Sequence, residues 1–80
     1  MRDKFDKNAK FEIVEHIATL SERSDGWTLE FNKVKWGDRA PMYEIRRWGK
    51  DHSVVGKGTT LYENELPLLL EALLKAVPKQ

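Results

Sequence analysis

Eighty residues, 40% hydrophobic and 34% charged, without a cysteine, make one small globular domain and exclude both a disulfide framework and a thiolate metal site. The net charge is only +1, yet seven of the fourteen Lys and Arg residues lie between Lys33 and Lys57, against three acids. A nearly neutral chain has gathered its positive charge in one stretch, which is an electrostatic footprint for a polyanion.

A domain this small has little stability to spare, and with no disulfide to staple it, a partner subunit is the expected support. No apolar run reaches the length of about 20 residues that crosses a bilayer. The charged start, MRDKFDKNAK, has no signal-peptide core behind it, so the expected location is the cytoplasm, with no membrane partner.

In chain order, residues 1–9 alternate charges around a lone Phe5 and show no period; they are expected to be a mobile arm ahead of a single domain over 10–80. From Phe11 the pattern turns to alternation, with Phe11, Ile13 and Ile17 on one parity and Glu12, Val14 and His16 on the other. A helix using Phe11, Val14, Ile17 and Ala18 competes with a strand. The β-branched content and the turn signal Ser24-Asp25-Gly26 favour the strand.

Trp27 to Trp36 reads as a second, long strand. Its apolar parity flips, because Leu29 and Phe31 are odd whereas Val34 and Trp36 are even. A two-residue period cannot change face without a bulge or strong bend, expected near Asn32 or Lys33, so the sheet should be curved. Gly37 to Pro41 is a turn, with Pro41 barred from a strand interior.

Met42 to Trp48 is the third strand. Tyr43, Ile45 and Arg47 share a face that reads as core, while Glu44, Arg46 and Trp48 share a charged face with an indole. Gly49 to Ser53 is a polar loop. Val54 to Leu61 is a short fourth strand whose glycines, Gly56 and Gly58, let a backbone bulge or approach something closely.

Glu63 and Glu65 then open a helix at the end where its dipole favours acids, with Pro67 in the first turn. Leu66, Leu69, Leu70, Leu73 and Val77 form one stripe, expected to pack on the sheet, with Leu74 at its flank and Leu68 on the far side. Pro78 stops the helix.

The functional candidate is the basic, aromatic sheet. Unpaired nucleic acid offers phosphates and flat base faces, so a binder needs cations and rings, each stacked base being worth roughly 1–3 kcal/mol. Lys33, Lys35, Arg46 and Lys57 supply the cations; Trp36 and Trp48 supply the rings. The plainer alternative makes Trp36 and Tyr43 core and leaves the cations solvated beside Glu44 and Asp51. Residue pattern alone divides these two evenly.

No catalytic constellation is present in the sequence. Asp51-His52-Ser53 holds the residue types of a hydrolase triad, but adjacent residues cannot converge on one point as a triad must. His16 and His52 are not spaced as a metal pair. Gly56-Lys57-Gly58-Thr59-Thr60 lacks the upstream glycine and the following helix of a phosphate loop. Neither a metal nor a cofactor is expected.

The order Val34-Lys35-Trp36, Tyr43-Glu44-Ile45-Arg46-Arg47-Trp48 and Gly56-Lys57-Gly58-Thr59-Thr60-Leu61, followed by an acidic helix start, resembles the C-terminal domain of transcriptional positive cofactor four, in its compact bacterial form. The resemblance covers about Lys10 to Val77. It implies an α+β fold, a strongly curved four-stranded antiparallel sheet followed by one C-terminal helix (ββββα), in a homodimer.

The resemblance further implies a non-enzymatic, largely sequence-independent binder of single-stranded DNA, with RNA as the second candidate, serving transcription regulation or the handling of opened duplex near the nucleoid. By position, Arg46 and Lys57 match its basic strand residues, Trp48 its stacking ring, and Lys33, Lys35 and Trp36 its second-strand contacts. The turn 37–41 differs in length from the family's, and Tyr62 stands where a capping side chain is usual. The reading from a different class is a dimeric protein-interaction module that uses a strand edge or helix face, with a merely solvated basic face.

Overall fold

The structure is a computed structural model that describes residues 10–78; the expected arm over 1–9 lies outside them. Four antiparallel strands, β1 (Phe11–Glu22), β2 (Thr28–Trp36), β3 (Met42–Trp48) and β4 (Val55–Leu61), pair in chain order. The helix α1 (Leu66–Ala76) follows, entered through a 3-10 turn over Glu63–Glu65.

Turn chemistry sets the strand boundaries. Between β1 and β2 the Arg23 N–H donates to the Trp27 carbonyl (2.7 Å), and the Asp25 carboxylate accepts from the Trp27 N–H (3.2 Å). Gly26 there takes φ +94°, which a side chain would resist. Between β2 and β3 the Arg39 N–H closes a turn on the Trp36 carbonyl (3.0 Å).

Of the bulge or strong bend expected near Asn32 or Lys33, β2 carries no bulge, and its register against β3 runs unbroken from Thr28↔Trp48 to Val34↔Met42. The irregularities lie across from it in β1, with three register shifts, between Ile13 and Glu15, His16 and Ala18, and Thr19 and Ser21. Each inserts a residue into β1, resets its parity and adds local twist. The two-residue alternation expected for β1 therefore does not hold. The flip in β2 has a simpler cause: each face of that strand is apolar at a different end.

The bend is severe. Trp48 is opposite Thr28, and Trp36 stands eight residues further along β2, about 26 Å away on a straight strand. Yet the Trp36 and Trp48 ring centroids are 6.4 Å apart, and the length of two indoles covers only part of that distance. The sheet curls until its two ends meet, with Phe11 of β1 joining the contact 5.0 Å from Trp48.

Curling reverses the expected assignment of core. Glu44 and Trp48, on the face read as charged, are buried, together with Glu30, Asn32 and Val34, whereas Tyr43 and Ile45 are half-buried and Arg47 is exposed. The inner face of a curled sheet crowds its own side chains, while the outer face spreads them and needs another layer to cover it.

The helix does not provide that layer, contrary to expectation. No residue of α1 is buried; Leu68, Leu70, Leu73, Leu74 and Val77 are 48–71% exposed. The 3-10 turn ahead of it is fixed by the Glu65 carboxylate, which accepts from the Tyr62 N–H (2.7 Å).

Candidate nucleic-acid interface

Strand periodicity and the curl bring three of the six expected site residues together. Trp36, Arg46 and Trp48 meet on the inner face: the indoles are parallel within 3°, and the Arg46 guanidinium lies 5.1 Å from the Trp36 ring centroid. Lys33 and Lys35 alternate to the outer face. There the Lys33 ammonium sits 5.2 Å from the centroid of Tyr43, its cross-strand partner, and Lys35 Nζ donates to the Gly37 carbonyl (2.8 Å). Lys57, on β4, is exposed.

Arg46 is fully engaged. Its Nε and Nη2 donate to Glu44 at 2.6 and 3.2 Å, and its Nη1 donates to the Gly56 carbonyl at 3.0 Å. Glu44, 1% exposed, also accepts from Trp36 Nε1 (2.9 Å). One carboxylate thus fixes both the guanidinium and the neighbouring indole. The close approach expected at the β4 glycines is made by the chain's own groups. A Cβ on Gly58 would stand 2.7 Å from Arg46 Cβ, and one on Gly56 2.6 Å from the Arg47 carbonyl oxygen.

Trp48, which the resemblance implies is the stacking ring, is the more enclosed of the two indoles. Trp48 is 0% exposed, enclosed by Phe11 at 5.0 Å, Trp36 at 6.4 Å and His52 edge-on at 4.9 Å. Trp36 keeps part of its surface open. Of these two indoles only Trp36 presents surface to solvent. Trp48 Nε1 is buried with no hydrogen-bond partner among the described residues, an arrangement that costs about 1–3 kcal/mol.

Sequence reasoning missed a second polar cluster beside these rings. Glu30 Oε1 accepts from Asn32 Nδ2 (3.0 Å) and from His52 Nε2 (3.1 Å), and Oε2 accepts from the Thr28 hydroxyl (2.8 Å). His16 Nδ1 donates to Asn32 Oδ1 (2.7 Å), and its Nε2 accepts from Thr19 (3.1 Å). Burial pushes the Glu30 carboxyl up, but bonds from Asn32, His52 and Thr28 and the charge of His52 outweigh it and hold the group below the usual carboxylate range.

His52 reaches Glu30 at a backbone cost. Asp51 and His52 both take left-handed conformations, φ +56° and +60°, worth roughly 1–3 kcal/mol each for side chains of this kind. The two histidines, separate in sequence, both approach one carboxylate, with His16 Nδ1 3.6 Å and His52 Nε2 3.1 Å from Glu30 Oε1. Among the described residues no group of three or more His, Cys, Asp or Glu could hold a metal ion. No helix among them is long and apolar enough to cross a membrane.

No family model matches the chain. It is 38% identical over 63 residues to an uncharacterized protein of Treponema pallidum (strain Nichols), an alignment that covers 79% of this chain and 74% of that protein. The chain belongs to the family of that protein.

Proposed function

We propose that this member of the family is a non-enzymatic binder of single-stranded nucleic acid, DNA foremost and RNA second, largely indifferent to sequence. It acts as a homodimer near the nucleoid, in transcription regulation or in the handling of opened duplex. The observation that carries the reading is the interleaving of rings and cations on a curled sheet. Arg46 lies over the partly open Trp36, and Lys33 over Tyr43, inside the stretch that holds the chain's positive surplus.

Rings give unpaired bases a stacking platform, and cations track the backbone. The resemblance to positive cofactor four adds to the reading. Lys33, Lys35 and Lys57 are the phosphate candidates, whereas Arg46, locked to Glu44, positions Trp36. Three released counterions per protomer give a slope of log affinity on log salt of about −2 for a single strand.

The test is a tryptophan-fluorescence titration with oligo-dT and with duplex of equal length at two salt concentrations. Quenching by the single strand that salt reverses is the expected result. The idea is sunk if low salt produces no response. The homodimer rests on the leucine surface of α1, which its own sheet leaves open.

That leucine surface, with Val14, Ile17 and Leu20 exposed on the edge strand β1, also favours a second reading, a protein-interaction dimer. In that case the titration is silent and a protein ligand protects α1.

A further inference from the structure

We propose that Phe11 plugs a base-binding slot at Trp36 and Trp48, and that an unpaired nucleobase enters by displacing the first residues of β1. The inference rests on the nucleic-acid reading above and specifies how its site opens. It begins from a conflict. The two indoles are parallel within 3° with centroids 6.4 Å apart, an arrangement suited to flat ligands, yet Trp48 presents no surface at all. Some group must move before Trp48 can touch anything.

The neighbours of Trp48 differ in how firmly they are held. Trp36 is tied through Nε1 to Glu44, and His52 through Nε2 to Glu30. Phe11 has no polar atom in its side chain, sits 5.4 Å from Trp36 and 5.0 Å from Trp48 at tilts of 44° and 41°, and opens an edge strand. Its backbone is held by the ladder pairing of Phe11 with Trp36 at the end of the sheet and by the bond from the Gly37 N–H to the Lys10 carbonyl (2.9 Å). Strand ends at sheet edges open at lower cost than sheet centres, so Phe11 is the ring that yields.

A second observation points to the occupant. Trp48 Nε1 is a buried donor without a partner among the described residues, so an opened slot offers a stacking face and, in the ring plane at its edge, an unused N–H for an acceptor beside the stacked group. An unpaired nucleobase is flat and carries ring carbonyl or imine acceptors. A plain aromatic ring, such as Phe11 itself, offers the first property and not the second. Bases within a duplex have their faces stacked already, so the slot selects single strands.

The experiment compares the full chain with Phe11→Ala and Phe11→Leu by oligo-dT titration, alongside hydrogen exchange of the wild type with and without the oligonucleotide. Removing the plug should raise affinity roughly tenfold in Phe11→Ala, because less of the protein is held in the closed state, with a smaller gain in Phe11→Leu. Oligo-dT should speed amide exchange at Phe11 to Ile13 in the wild type, a readout that stands even if the alanine variant fails to fold.

Wild-type binding with no gain in a folded variant, or with slower exchange at Phe11 to Ile13, overturns the plug and leaves the nucleic-acid reading intact. No binding by wild type or variants overturns both.

Discussion

The sheet and the helix divide polarity in opposite ways. Inside the curl, Glu30, Asn32 and Glu44 are buried beside Val34 and Trp48, while along α1 four leucines, Leu68, Leu70, Leu73 and Leu74, stand in the open. A chain burying carboxylates and exposing leucines inverts the usual partition. The sheet completes its inner face alone, by curvature and charge pairing, whereas its own chain leaves the apolar surface of the helix uncovered; the proposed second copy would cover it.

The largest effect is expected from removing the carboxylate that organises the inner face. Glu44→Ala strands the Arg46 guanidinium and the Trp36 N–H, and losing one partner of a buried ion pair costs about 3–5 kcal/mol. Urea denaturation of the variant should show that loss. A change under about 0.5 kcal/mol, as is usual at solvated positions, would mean that the inner face is wet and the closure weak.

The helix is tested by the reverse change, a charge placed on the leucine surface. Leu74 is 71% exposed in one chain, so Leu74→Glu should leave the fold of an isolated chain nearly unaltered. Against a partner it should weaken association by about 2 kcal/mol, the worth of one buried leucine. Sedimentation equilibrium reads the difference; equal association constants for wild type and variant would remove α1 from the interface.

Gly58→Ala probes how tightly Arg46 is seated. The added Cβ would stand 2.7 Å from Arg46 Cβ and 2.9 Å from its Cζ, and overpacking of this kind costs about 1–3 kcal/mol. The expected signature is a stability loss joined to a shift in Trp36 emission, as the guanidinium leaves the ring. Loss of stability with unchanged emission would put the strain elsewhere in β4.

Much of this architecture is legible in the sequence, and what is not has identifiable causes. Ser24-Asp25-Gly26 and Gly37 to Pro41 mark both turns that bound β2, and Met42 to Trp48 is a strand at the expected residues. The alternation along β3 separates Glu44, Arg46 and Trp48 from Tyr43, Ile45 and Arg47 correctly. It cannot say which set is enclosed, because that depends on the direction of the curl. The curl follows from bulges in β1, where Val14, Ile17 and Leu20 recur every third residue and imitate a helix.

Trp48 falls in the same gap. Its pairing with Phe11, far away in sequence, is tertiary, so a reading by strand position could place the indole on the right face and still misjudge its exposure. The buried acids were hidden for another reason. A lone Glu between alternating apolar residues reads as solvated, and only the arrival of His52 from a strained loop, or of Arg46 from the same strand, makes its burial tolerable.

The mildest change is the one that pH makes at Glu30. The Glu30 carboxyl titrates below its ordinary value of 4.5 because the bonds from Asn32, His52 and Thr28 and the charge of His52 overcome its desolvation. A depressed folded-state pKa contributes stability that is fully present above the unfolded-state value and is lost as pH falls through the folded-state value. Stability should therefore decline as pH drops below that ordinary value, and Glu30→Gln should flatten this acid limb while lowering the plateau at neutral pH. Urea midpoints measured across the acid range decide the matter: an acid limb of unchanged steepness in Glu30→Gln would assign it to other carboxylates.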